Sequence, residues 1–505
     1  MSEKRIQYAG YETRIISAEE AASLIQDKMV IGTSGFTKAG DSKAVLPAFA
    51  KRAENEKIGI TLITGASLGH NTDTDLAQSN ALYRRMPFQA DAGLRNKINE
   101  GDTYFIDQHL SETSELLENN HLPKIDFAII EAAYIDVNGN IIPTTSVGNS
   151  ATFAKLADKI LIEINTSIPL NFKGIHDIFL HENYPNRKPL NITKSDSRIG
   201  LEYIPVNPEK VVGIIFTNLS DSSAVVTPPD AKTSAIANHL LTFFDDEIKA
   251  GRLTESLMPL QVGIGKIANA VMSGFSKGNF KNLVMYSEVL QDSTFELIDS
   301  GKLDFASASS LTVSEDCYKH FLENFDHYKE KILLRPQNIS NSGEVIRRLG
   351  IIAINTAIEF DIYGNVNSTH ISGTKMMNGI GGSGDFARNA YLSIFVAPST
   401  SKEFNAISHV LPMASHVDHT EHDVDILVTE QGLADLRGLA PRERAKVIIE
   451  KCAHPEYKEQ LTDYFNRACI RGGHTPHILE EAFSFHTRYN ETGSMKKENH
   501  VDLVS

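Results

Sequence analysis

The chain has 505 residues, beyond the roughly 250–300 at which a single hydrophobic core stops growing, so two domains are expected. A composition of 41% hydrophobic and 22% charged residues, with 33 glycines and 18 prolines, excludes disordered and fibrous classes. A net charge of −15 argues against a nucleic-acid or membrane-surface binder, which needs a basic face, so any anionic ligand must be met by local donors.

The opening segment has neither a signal-peptide apolar region nor an Arg-rich transit character, and no apolar run approaches the roughly 20 residues of a membrane span. A cytoplasmic chain is expected. In chain order, Ser17-Ala18-Glu19-Glu20 is a capping-box pattern ahead of Ala21, Ala22, Leu24 and Ile25, which predicts a helix. Met29-Val30-Ile31 then runs into Gly32-Thr33-Ser34-Gly35, a strand and a glycine turn. Short apolar runs recur at 60–64, 127–130 and 160–164, and their alternation with helical stretches predicts an α/β fold with a largely parallel sheet.

The pattern breaks at Thr227-Pro228-Pro229-Asp230, where proline disfavours helix in the preceding residue. This places a boundary between a first domain, 1–228, and a second, 229–505. The second opens as the first does: Leu260-Gln261-Val262-Gly263-Ile264-Gly265 and then Ile267 to Val271 read as strand, glycine turn and helix. Ala128-Ile129, Ala132, Asp136 and Gly139-Asn140 recur as Ala353-Ile354, Ala357, Asp361 and Gly364-Asn365, which points to an internal duplication. Setting Leu62-Ile63-Thr64-Gly65-Ala66-Ser67 against Leu283-Val284-Met285-Tyr286-Ser287-Glu288 aligns two strand ends, of which only the second ends in a carboxylate.

Glu288 therefore stands at the carboxyl end of a strand, where open α/β sheets bind ligands. Residues 379–386, Gly-Ile-Gly-Gly-Ser-Gly-Asp-Phe, let backbone N–H groups approach a ligand as an anion nest or oxyanion hole. They are not a dinucleotide fingerprint, because the preceding Gly373 to Asn378 reads as loop rather than strand. The turn Gly263-Ile264-Gly265-Lys266 is a seat for a pyrophosphate. Lys375, Arg388 and Lys402 are further cations able to meet phosphates. Val424 to Thr429 reads as a strand delivering a second carboxylate, Glu430. His409, His416, His419 and His422 lack the spacing of a metal site, and Cys317, Cys452 and Cys469 form neither a disulfide framework nor a zinc site; no metal is expected. The segment 495–505 reads as a polar tail.

Ser287-Glu288, Gly263-Ile264-Gly265, Asn338 to Ser342, Asp361 to Ser368, residues 376–388 and Val428-Thr429-Glu430-Gln431-Gly432 through Gly438 resemble the acetyl-CoA hydrolase/transferase family, from about Ile15 to about Leu479. The resemblance implies two related α/β domains of the class I CoA-transferase type, a homodimer, and coenzyme A as a substrate without a tightly bound cofactor. It implies transfer of coenzyme A from succinyl-CoA to acetate by a ping-pong route through a glutamyl-CoA thioester. By motif matching Glu288 falls on the nucleophile, Asn341 and Gly382 on oxyanion donors and Glu430 on a supporting acid. Gly263, Ile264, Gly265, Lys266, Ile267, Ile358, Asn378, Gly382 and Lys402 fall on coenzyme A contacts. Lys266 stands where the family motif has Asn. Two alternatives stay open: a hydrolase on the same fold, in which water resolves the thioester, and a non-catalytic acyl-CoA sensor. The Pro143-to-Asn149 segment and the length resemble the transferase subgroup.

Overall fold

The computed structural model describes residues 5–497. Ser17 Oγ accepts the Glu20 N–H at 3.1 Å and the Glu20 carboxylate accepts the Ser17 N–H at 2.8 Å, the expected capping box, which starts α1 (Ala18–Ser23). The first half then supplies β1 (Val30–Thr33), β2 (Ile60–Ile63), β3 (Leu82–Met86), α2 (Ala92–Glu100), β4 (Tyr104–Phe105), β5 (Phe127–Ala132), β6 (Lys159–Asn165) and β7 (Val211–Thr217). These strands form one parallel sheet in the order β4-β3-β2-β1-β5-β6-β7. Alternation divides its apolar residues between two clusters: Ile31, Phe127, Ile129, Leu161 and Ile215 face one way, and Val30, Ala128, Ile130, Ile162 and Ile214 the other. Both faces are covered, which is why the strands read as continuous apolar runs.

Directly after the proline break, Asp230 caps α3 (Ala231–Lys249) by accepting the Thr233 N–H. The second half adds β8 (Leu260–Val262), α4 (Lys266–Lys277), β9 (Leu283–Tyr286), β10 (Leu303–Ala308), β11 (Ile332–Leu334), β12 (Ile352–Thr356), α5 (Ser383–Asn389), β13 (Leu392–Val396), β14 (Ile426–Thr429) and β15 (Gly432–Asp435). Their order is β11-β10-β9-β8-β12-β13-β14-β15, parallel except for β14 with β15. It repeats the first sheet strand for strand and appends β15. The two-domain α/β architecture from duplication is thus present in the topology.

The repeated turns agree in detail. Asp136 N–H donates to Asn140 O at 2.9 Å and Asp361 N–H to Asn365 O at 3.0 Å. Asp136 Oδ1 accepts the Asn140 N–H at 2.9 Å, and Asp361 Oδ1 the Asn365 N–H at 3.0 Å. Gly139 and Gly364 carry φ of 85° and 95°, which an L side chain resists.

The strand registers correct the alignment of the halves. Ala128 and Ala353 pair with Gly32 and Gln261, and the ladders one strand further make Leu62 the counterpart of Met285. The residue equivalent to Glu288 is therefore Gly65, not Ser67. Two further expectations change. Lys375–Met376 pairs antiparallel with His370–Ile371, a short hairpin where loop was expected. Within the segment expected as a tail, Met495 is buried, its N–H donates to Ala406 O at 2.8 Å, and Lys496 pairs with Glu456; residues 498–505 lie outside the described residues. No helix among the described residues is long and apolar enough to cross a membrane.

The carboxyl-end loops of the two sheets interlock. Val147 N–H donates to Ser309 O at 2.9 Å, Leu311 N–H to Thr145 O at 2.9 Å, and Gln337 N–H to Gly148 O at 3.0 Å. A cleft remains between them.

Candidate active site

The cleft is open to solvent and is walled on one side by Phe36, Ala66, Phe88 and Leu110 of the first half. The second half contributes Val262, Gly263, Ile264, Glu288, Val289, Asn355, Thr356 and Asn378 to Ser383. Glu288 stands between β9 and the short bridge Val289–Leu290, its carbonyl accepting the Ser309 N–H at 2.8 Å. That contact fixes the backbone and leaves the carboxyl facing the cleft.

Asn341 follows a single helical turn, Gln337–Ser340, and its N–H donates to Gln337 O at 2.9 Å. Ser340 Oγ donates to Asn341 Oδ1 at 2.8 Å. With the oxygen so engaged, the amide nitrogen is left beside Glu288; it is fully buried and has no hydrogen-bond partner among the described residues. Gly382 lies against both groups, so close that a methyl group there would overlap the Glu288 carboxyl and the Asn341 amide together. The structure thus brings Glu288, Asn341 and Gly382 into one constellation.

Burial raises the pKa of Glu288 to about 8, helped by the charge of Asp385 and opposed by the Asn341 amide and the Gly382 N–H. Asp385 lies on α5, where Ser111 gives it both a backbone N–H at 3.1 Å and its hydroxyl at 2.6 Å. Burial raises this acid too. A backbone N–H and an unpartnered amide beside a buried carboxyl are the kind of donors that can stabilise negative charge building on an acyl oxygen.

The other expected residues are spread more widely. Gly263, Ile264 and Asn378 line the cleft. Gly265 caps α4 with φ 117°, Lys266 is its first residue, and Ile267 points into the core. Ile358 is half-buried just beyond β12, its carbonyl accepting from His409 Nδ1. Lys402 is exposed in the connection between Thr400–Ser401 and Ile407–Ser408, and neither Lys375 nor Arg388 lines the cleft. Glu430 directly follows β14, four strands from β9, and does not line the cleft. Burial pushes its carboxyl up, but the Ser399 N–H at 2.7 Å and hydroxyl at 2.5 Å hold it below the usual range.

The four histidines do not converge. His409 serves Ile358, His419 Nε2 lies 3.1 Å from Ser383 Oγ beneath the glycine loop, and His416 Nε2 pairs with Asp418 at 3.2 Å. His422 sits in the turn Glu421–Asp423. The apolar wall carries no local signal in sequence, and Asp385 stands out only as a member of the glycine-loop motif, since each acts across the cleft or through a neighbour.

The chain matches the acetyl-CoA hydrolase/transferase N-terminal domain over residues 1–216 and the C-terminal domain over 318–465. It is 47% identical to the succinyl-CoA:acetate CoA-transferase of Clostridium kluyveri over 98% of this chain and 93% of that protein. It is 45% identical to the acetyl-CoA hydrolase of Saccharomyces cerevisiae over 98% of this chain and 97% of that protein. Among solved structures, RipA from Yersinia pestis superposes with a TM-score of 0.72 at 22% identity, covering 92% of this chain and 99% of that one. The 4-hydroxybutyrate CoA-transferase of Porphyromonas gingivalis gives 0.63 at 20% identity, covering 90% and 98%.

Proposed function

The chain belongs to the acetyl-CoA hydrolase/transferase family, and from that premise we propose that it transfers coenzyme A from succinyl-CoA to acetate with Glu288 as the nucleophile. The reading is carried by one observation: Gly382 and the buried, unpartnered Asn341 amide nitrogen lie together against the carboxyl at the carboxyl end of β9.

A Glu288 oxygen attacks the thioester carbonyl, and the tetrahedral oxyanion collapses to an acyl-glutamyl anhydride with release of the coenzyme A thiolate. The thiolate attacks the glutamyl carbonyl, succinate departs, and Glu288 carries coenzyme A as a thioester. Acetate attacks that thioester to give an acetyl-glutamyl anhydride, and the freed thiolate takes the acetyl group, restoring the carboxylate. Gly263, Ile264 and Asn378 are positioned to meet coenzyme A in the cleft, with Gly265, Lys266, Ile267, Ile358 and Lys402 further along its path and Glu430 supporting from beyond it. We assign residues 1–228 to the carboxylate side and 229–505 to the nucleophile and coenzyme A side, in a homodimer.

Transfer is favoured over hydrolysis by the lining of the cleft. Among the described residues lining it, Glu288 is the only titratable side chain. Once Glu288 is a thioester, no lining base is left to take a proton from water, whereas acetate arrives already ionised. Intact-mass spectrometry after incubation with succinyl-CoA is expected to find a coenzyme A adduct on the wild type and none on Glu288→Ala. An unmodified wild type under turnover conditions would overturn the covalent route, and acetate-independent release of free thiol would overturn transfer.

A further inference from the structure

We infer that residues 107–111 of the first half position the loop that carries Gly382, so that a donor of the second half is set from across the cleft. The inference rests on the reading of Glu288 as nucleophile. The segment continues from β4 in non-helical form, and its alternate residues 107, 109 and 111 all engage the glycine loop. Both oxygens of Asp107 accept the Ile380 N–H, at 2.9 and 3.0 Å. The His109 ring fills the space a side chain at Gly384 would take. Ser111 gives its two hydrogen bonds to Asp385.

The loop has further anchors in the first half. Arg95 Nε donates to Met377 O at 2.6 Å, Asn99 exchanges two hydrogen bonds of 2.9 Å with the Met376 backbone, and Gly379 N–H donates to Gln89 O at 3.1 Å. Within its own half the loop is braced by Ser383 Oγ donating to Ile380 O at 2.8 Å. The glycine at 379 is required by this arrangement, since a Cβ there would meet Asp107 Oδ1 at 2.7 Å and the Phe88 ring at 2.9 Å. Asp107 does not line the cleft. It is a positioning residue: it holds the peptide two residues before Gly382, and a misplacement of about 1 Å in a catalytic group can cost about 10²-fold.

The test compares Asp107→Ala, which removes the acceptor, with Asp107→Asn, which keeps an oxygen for the Ile380 N–H and removes the charge. The readouts are the single-turnover rate of coenzyme A adduct formation by intact mass, the KM for succinyl-CoA, and the melting temperature. Asp107→Ala is expected to slow adduct formation by about 10- to 100-fold with KM within about threefold, and Asp107→Asn to stay within about threefold of wild type in rate. Ser111→Ala, a milder cut at the far end of the segment, is expected to slow the same step by about three- to tenfold. Wild-type rates in Asp107→Ala, or an Asn variant as slow as the Ala variant, would overturn the inference while the wild-type adduct still stands. A wild type without adduct would instead overturn the Glu288 reading, and the inference with it.

Discussion

The sharpest test of the constellation is Gly382→Ala. Gly382 has φ −90° and ψ 0°, a negative-φ region open to L residues at turns, so the substitution acts chiefly through the new methyl group. That carbon would come within 3.0 Å of both the Glu288 carboxyl and the Asn341 amide, whereas ordinary contact begins at 3.4 Å. The two groups, or the loop, must retreat by on the order of 1 Å, which alone costs about 10²-fold in rate. Displacing the Gly382 N–H from the developing oxyanion is worth about 10²–10³-fold, or roughly 3–4 kcal/mol of barrier. The two costs share a cause and do not add. A fall in kcat of about 10²–10³-fold is therefore expected, with the melting temperature within a few degrees of wild type. Steady-state turnover of succinyl-CoA with acetate, alongside thermal unfolding, measures both. A Gly382→Ala enzyme within about threefold of wild type would refute the placement of this N–H at the reacting carbonyl.

Asn341→Ala is expected to lower kcat by about 10²–10³-fold without abolishing the adduct, because Gly382 still donates; intact-mass kinetics check it. On the proposed covalent route Glu288 attacks as the carboxylate, and burial pushes its carboxyl up to about 8, so kcat/KM for succinyl-CoA is expected to rise with pH and level off above that value. Asp385→Asn removes the neighbouring negative charge and is expected to move that midpoint down; a midpoint that stays or rises would contradict the electrostatic account. Lys43 is fully buried with Glu131 at 2.7 Å, Asp221 at 2.9 Å and Asp41 at 3.3 Å. Lys43→Ala leaves this acid cluster uncompensated and is expected to cost about 3–5 kcal/mol in urea unfolding.

What the sequence made legible is what local chemistry determines. The capping box at Ser17, the paired turns at Asp136 and Asp361, and the apolar strand ends all depend on neighbours within a few residues. The apolar pattern alone leaves the register between the halves open by two positions, because a shift of two keeps every side chain on its own face; only the hydrogen-bond ladder separates the two alignments. Glu430 also illustrates the limit. A carboxylate at a strand end was readable, but strand order was not, and β14 stands four strands from β9, about 19 Å at ordinary strand spacing. Asp107, His109 and Ser111 left no trace because their partners lie some 270 residues away in the chain.

The corrected register also explains why only one half has room for the carboxylate. The position equivalent to Glu288 is Gly65, where a Cβ would strike Gly35 O at 2.5 Å and Gln337 Oε1 at 2.9 Å. Gln337 belongs to the second half, and it crosses to the first to donate from Nε2 to Leu110 O at 3.0 Å. The space a second nucleophile would need is thus occupied by a contact that joins the halves beside the apolar wall. Placing a glutamate at 65 would not restore a twin active site; it would push Gln337 out and loosen Leu110, one residue from the Ser111 that holds Asp385. In the duplicated sheet the first copy has no room for a carboxylate at this position, and its loops instead wall and align the cleft that holds Glu288.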